Sequence, residues 1–297
     1  MEKNTLKAKK QEIRYFVDKL KKEELLVIAE KNKNNAFGFF SGISDKFSKE
    51  KAEIKLLKIY KRYDPFWHII AESLVDYERK SKYKVIVDKQ VKKLRIGETE
   101  FNAEEGKQHN DIVIHSTDIC HEHRRKEILI DGAFDIKTPT NIKNQEKLAV
   151  YLHNDSKKIK EVEELMKNDV IVVPVVLKAA FILRSMLQDI INPVSADKIL
   201  NEKVGIDELI LYFKPVYIFE YTHSKKNEKK YVEVDSINGR VKILREMEHK
   251  RSKELFTESA LFDIGVSALS SLVPGGEAAY KLVRGIREER KRNKNKA

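Results

Sequence analysis

The segment Pro65-Phe66-Trp67-His68-Ile69 recurs 150 residues later as Pro215-Val216-Tyr217-Ile218-Phe219. A proline leading a run of aromatic and branched residues is a strand signal. Two such runs in one chain call for a fold with two related β units. A further pair follows: Tyr83-Lys84-Val85-Ile86-Val87-Asp88 resembles Tyr231-Val232-Glu233-Val234-Asp235. Each copy closes on a Val-Lys strand, Val91-Lys92 in the first and Val241-Lys242 in the second. Only the second copy carries Asn238-Gly239, a pair that tolerates positive φ and so marks a tight turn.

The remaining segments are read by periodicity. Ile13, Phe16, Val17 and Leu20 fall at i, i+3, i+4 and i+7, which predicts an amphipathic helix within residues 5–33. Another helix is expected over 45–60, with Pro65 starting the β region. Strands are expected at 66–70, 83–88, 91–96, 111–115 and 127–131. Residues 138–203 revert to helix, with an apolar helix over 179–190 stopped by Asn192-Pro193 and a small one over 195–202. Strands return between 209 and 244.

The expected fold is therefore α+β: two related antiparallel β-meander units joined by helices, with a helical N-terminus and a C-terminal helical hairpin. In chain order this gives a helical region 1–62, a first α+β unit 63–137 and a helical connector 138–203. A second β unit 204–250 and a hairpin with a basic tail 251–297 complete it.

The second β unit, KPVYIFEY followed by KKYVEVDSINGRVK, resembles the PepSY-like meander at Asp235, Gly239 and Val241. That resemblance covers roughly 35 residues and implies a binding or inhibitory module. PepSY-like units mostly work outside the cytoplasm, whereas no secretory signal is legible here: MEKNTLKAKKQEIRYF is charged and lacks an apolar core. The layout including LFDIGVSALSSLVPGG also resembles a prokaryotic family without an assigned activity, so that likeness implies no function.

Charge narrows the partners. The chain has 59 Lys+Arg against 47 Asp+Glu, a formal net charge of +12 over 297 residues. Such a surplus suits an acidic protein, nucleic acid or an anionic membrane surface. One cysteine, Cys120, excludes an internal disulfide and fits a reducing compartment. The expected setting is cytoplasmic, with a position peripheral to the membrane as its variant.

Catalytic patterns are sparse. Asp135-Ile136-Lys137 matches the second element of magnesium-dependent PD-(D/E)xK nucleases, in which carboxylates hold the ion and a lysine stabilises charge. Asp111 or Asp131 would supply the first carboxylate. His109, His115, His121 and His123 form the densest group of metal-ligand types. On a strand His121 and His123 share a face, but Arg124, Arg125 and Lys126 beside them repel a cation. Gly275-Gly276 lacks the lysine and hydroxyl of a phosphate-binding loop. No cofactor is expected except magnesium under the nuclease alternative.

The C-terminal segment is the most distinctive surface. Residues 261–286 read as a small-residue helical hairpin turning at Pro274-Gly275-Gly276, an expected contact for homo- or hetero-oligomers. Arg284, Arg287, Arg290, Lys291, Arg292 and Lys294 then form a basic run suited to anionic partners. The leading expectation is a non-catalytic binding or adaptor protein that engages an acidic partner through this tail and hairpin. The alternatives are the nuclease and a peripheral membrane protein.

Overall fold

A computed structural model describes residues 8–37, 53–133, 142–166, 170–191, 194–224 and 228–244. Ten strands and three helices lie in those residues. The strands are β1 (Ala8–Phe16), β2 (Ile54–Val87), β3 (Lys93–Ile96), β4 (Thr99–Glu104), β5 (Asn110–Asp131), β6 (Ser156–Ile159), β7 (Ile171–Val172), β8 (Lys198–His223), β9 (Glu228–Asp235) and β10 (Val241–Leu244). The helices are α1 (Lys22–Ala36), α2 (Ile142–Ala149) and α3 (Ala179–Ile190). One large mixed sheet runs in the order β10-β9-β8-β2-β5-β4-β3, with β1, β6 and β7 off that path.

The broad α+β class holds, but the expected architecture does not: the described chain is mostly β, and the two β units are one sheet. Residues 8–16 form a strand where a helix was expected. Ile13 packs into the core under α3, while Phe16 packs with Phe66 and Tyr212 on the opposite side. Burial on both faces erases the strand's two-residue alternation and leaves a spacing that imitates a helix. Residues 54–60 begin β2 and residues 198–202 begin β8, both expected as helix. The expected C-terminal hairpin lies outside the described residues.

The two proline segments occupy similar places in the sheet, but in a different frame from the expected one. Pro65 and Pro215 sit within long strands rather than at their starts. β2 and β8 pair antiparallel around Asp64 and Lys214, so that Tyr63 faces Pro215 and Pro65 faces Phe213. On its other side β2 pairs β7 in parallel up to Tyr63, then β5 from Phe66 onward. β8 likewise pairs β1 up to Phe213, then β9 from Val216. Each proline therefore falls at the gap between two neighbouring strands, where a missing N–H costs no ladder bond. The carbonyl of each accepts the next strand's turn: Gly132 N–H donates to Pro65 O at 2.9 Å and Ser236 N–H to Pro215 O at 3.3 Å.

The same frame relates the preceding segments. Lys19 and Leu20 N–H both donate to Ser236 O, and Val176 and Leu177 N–H both donate to Gly132 O. Leu20-Lys21 and Leu177-Lys178 then open α1 and α3, with Lys21 at φ −72°, ψ 156° and Lys178 at φ −77°, ψ 144°. The repeat is thus strand, helix, long strand, return strand: β1-α1-β2-β5 and β7-α3-β8-β9. Residues 170–191, expected as connector, are the first half of the second copy. Tyr83–Asp88 has no counterpart in β9; the end of β5, Ile128–Asp131, takes that place.

The copies are intertwined. β1 of the first pairs with β8 of the second, and α1 packs on β9 and β10. β7 of the second pairs with β2 of the first, and α3 packs on β2 and β5. Both helices cover the face that carries Tyr63, Trp67, Leu211, Phe213, Phe219 and Tyr221. Trp67 is fully buried there, its indole N–H donating to Leu177 O at 2.7 Å. On the opposite face Leu148 of α2 and Tyr151 of the following 3₁₀ turn cover Phe66 and Tyr212.

Candidate polyanion-binding face

The two copies differ most in the hairpin after the long strand. β8 turns back after His223, which corresponds to Ser73 of β2. β2 runs on to Val87, roughly 45 Å further at about 3.3 Å per residue. β8 stays beside β2 only as far as Glu78, so among the described residues Ser81–Val87 pair with β5 alone. The first copy therefore projects a two-stranded ribbon that the second lacks. At its tip Asn110 Nδ2 donates to Lys89 O at 3.1 Å and Val91 O at 3.0 Å. The β3-β4 hairpin adjoins there through Ala103 beside Ile112.

Strand alternation sorts the ribbon into two faces. One carries Ser81, Tyr83, Val85 and Val87 opposite Ser116, Ile114, Ile112 and Asn110, of which Ile112 and Asn110 are buried. The other carries Lys80, Lys82, Lys84 and Ile86 opposite Thr117, His115, Val113 and Asp111. All three lysines are exposed, as are His115 and Thr117. Lys84 Nζ meets Asp111 at 2.7 Å. The ammonium groups of Lys80 and Lys82 have no carboxylate partner among the described residues, although the Lys80 backbone N–H donates to Asp197 Oδ2 at 2.5 Å. Successive lysines on this face stand about 6.6 Å apart along the strand.

Nearer the core the same face becomes a charge-paired belt. His121 Nδ1 lies 2.5 Å from Asp76 Oδ1, and Asn201 Nδ2 donates to Asp76 Oδ2 at 3.1 Å. His121, then Asn201, hold the Asp76 carboxyl below its ordinary value. His123 Nε2 is 3.1 Å from Glu72, which also binds Lys9 at 3.1 Å. His121 and His123 do share the exposed face, but each is matched to a carboxylate. His115 lies in the same strand as these two, about 20 Å from His121, and His109 lies beyond it, 3.8 Å from Asp111. No group of three His, Cys, Asp or Glu fit to hold a metal occurs among the described residues.

Asp111 and Asp131, the alternative first carboxylates of the nuclease reading, stand at opposite ends of β5, on the order of 60 Å apart. Asp135 and Lys137 lie outside the described residues, as do Arg284, Arg287, Arg290, Lys291, Arg292, Lys294 and residues 261–286. Asp131 Oδ1 accepts the Ala133 N–H at 2.8 Å, closing the turn after β5. Asp235, its counterpart, accepts Ile237 N–H at 2.8 Å and Asn238 N–H at 3.2 Å. A turn-closing role thus accounts for the acid in both copies. Burial raises the Asp131 carboxyl above its ordinary value despite Lys214 and Arg62 nearby.

Around that position sits a buried ionic cluster where β2, β8 and β9 lie side by side. Arg62 meets Asp64 through Nε at 2.5 Å and a second nitrogen at 2.7 Å, and reaches Glu233 at 2.7 Å. Lys214 stands 3.9 Å from Asp64. The carboxylates are saturated by these cations, which makes the cluster a clamp between the copies and not a reactive centre.

The lysine ladder escaped the sequence reading although Lys80-Ser81-Lys82-Tyr83-Lys84 alternates with a period of two. The strand was expected to start at Tyr83, which cut the pattern in half. No protein-family model, curated protein or solved structure matches the chain. Among the described residues no helix is long and apolar enough to cross a membrane.

Proposed function

We propose that this is a non-catalytic cytoplasmic binding protein for a polyanion, and that the lysine face of the projecting ribbon is a contact surface. One observation carries the reading: Lys80, Lys82 and Lys84 stand in register on an exposed face of the segment that only one copy of the repeat possesses. Lys84 is offset by Asp111, but the ammonium groups of Lys80 and Lys82 have no carboxylate partner among the described residues, and two such cations side by side favour an anion. The net charge of +12 favours the same class of partner. The basic run from Arg284 to Lys294 would add to it electrostatically.

The test is a titration of the full-length protein with mixed-sequence DNA and RNA from low to high salt, beside Lys80→Ala/Lys82→Ala. Binding is expected to weaken linearly on log–log axes, with a slope shallower in the variant by about 0.9 per lysine. Absence of binding at low salt would end the polyanion reading. Binding with an unchanged slope in the variant would move the contact away from the ribbon.

A further inference from the structure

We infer that the polyanion is double-stranded DNA and that the ribbon enters its major groove, lysine face inward. This rests on the polyanion reading above. The argument begins with width. Two strands lie about 4.8 Å apart, and the major groove, about 12 Å wide, admits a two-stranded ribbon whereas the minor groove, about 6 Å wide, does not. The free length also fits. From Lys80 to Lys84 the ribbon covers about 13 Å, close to four base pairs at 3.4 Å each.

The side chains on that face suit base edges. Lysine ammonium groups reach guanine O6 and N7, a threonine hydroxyl bonds either base, and aliphatic groups rest on thymine methyls. Lys80, Lys82 and Thr117 form the centre of the face, flanked by Ile86, 64% exposed, and Ile119, 72% exposed. Ile86 stands opposite Asp111 and Ile119 opposite Glu78, so the apolar contact at each end lies beside an acid. Single strands are disfavoured because their binding sites stack bases on aromatic rings. Tyr77 and Tyr83 both project from the other face of the ribbon, and positions 80, 82, 84, 86, 113, 115, 117 and 119 include no Phe, Tyr or Trp.

The experiment compares four ligands at equal phosphate or carboxylate charge with the full-length protein. They are a duplex DNA of about 24 base pairs, the same duplex with glucosylated hydroxymethylcytosine filling its major groove, a duplex RNA of the same sequence, and polyglutamate. The plain duplex is expected to bind at least 10-fold tighter than the other three, because the A-form major groove is too narrow for side chains. Lys82→Ala is expected to weaken the plain duplex and leave the glucosylated one nearly unchanged. Equal affinity for the plain and glucosylated duplexes would overturn groove entry while leaving the polyanion reading intact. Polyglutamate binding as tightly as DNA would replace the nucleic acid by an acidic protein. Failure of all four to bind would remove both proposals together.

Discussion

Replacing Arg62 by methionine tests whether the ionic cluster clamps the two copies. The Arg62 side chain is 4% exposed, and the two carboxylates it serves, Asp64 and Glu233, are 14% and 12% exposed. Removing one partner of a buried ion pair leaves uncompensated charge and costs about 3–5 kcal/mol. The low end applies here, about 3 kcal/mol, since both carboxylates keep some water and Lys214 remains near Asp64. For a chain of this size that corresponds to a fall in Tm of roughly 6–12 °C. Trp67 is the sole tryptophan and is wholly buried, so its fluorescence reports urea unfolding directly. Arg62→Met/Asp64→Asn/Glu233→Gln/Lys214→Met is the control, because replacing every charge of a buried cluster often costs little stability. A loss below about 1 kcal/mol in the single variant refutes the clamp. A quadruple variant as unstable as the single one would assign the loss to packing and not to stranded charge.

Two other outcomes follow from the same architecture. Because β1 and α1 of the first copy are held by the second, and β7 and α3 of the second by the first, fragments 1–137 and 138–297 should co-purify when co-expressed and fail to fold separately; a folded monomer of either fragment by circular dichroism and gel filtration would contradict the intertwining. Asp131→Asn keeps the oxygen that accepts the Ala133 N–H and removes the charge. Since burial raises the folded-state pKa of Asp131, its contribution is favourable below the unfolded value of about 3.9 and is lost as pH rises through the folded value. The variant should therefore be more stable than the parent at pH 7 and show less change between pH 4 and 7; urea midpoints that fall at pH 7 would show that Arg62 and Lys214 need the charge.

The broad α+β class was legible, and so was the likeness of the Pro65 and Pro215 segments, because both prolines sit at gaps between neighbouring strands; the layout as two separate units with a helical N-terminus was not. The frame was not legible. Tyr83–Asp88 looked like Tyr231–Asp235 since both are alternating strands ending in aspartate, a pattern that any hairpin produces. The segment that takes the place of the end of β9, Ile128-Leu129-Ile130-Asp131, shares only its last residue with Val232-Glu233-Val234-Asp235, and its burial differs as well. β1 was misread for a physical reason: Ile13 and Phe16 serve different cores, so local periodicity carried no information about a strand trapped between β6 and β8. At the candidate site, the pairing of His121 with Asp76 and His123 with Glu72 joins residues from distant parts of the chain, and no local pattern announces it.

Features that recur in both stretches of the sheet answer to folding, and features present in only one answer to something else. The gap prolines, the turn-closing Asp131 and Asp235, and the Leu-Lys pair before each helix recur, and each has a structural duty visible in its hydrogen bonds or backbone angles. The ribbon does not recur. Folding offers no reason to extend β2 beyond the position where β8 turns, because residues 79–87 contribute little to the three hydrophobic clusters. An extension that costs conformational entropy without adding to the core is retained for what its surface does. On that reasoning the lysine face of the ribbon is the part of the described protein where binding should be sought first, ahead of the buried charge cluster around Arg62.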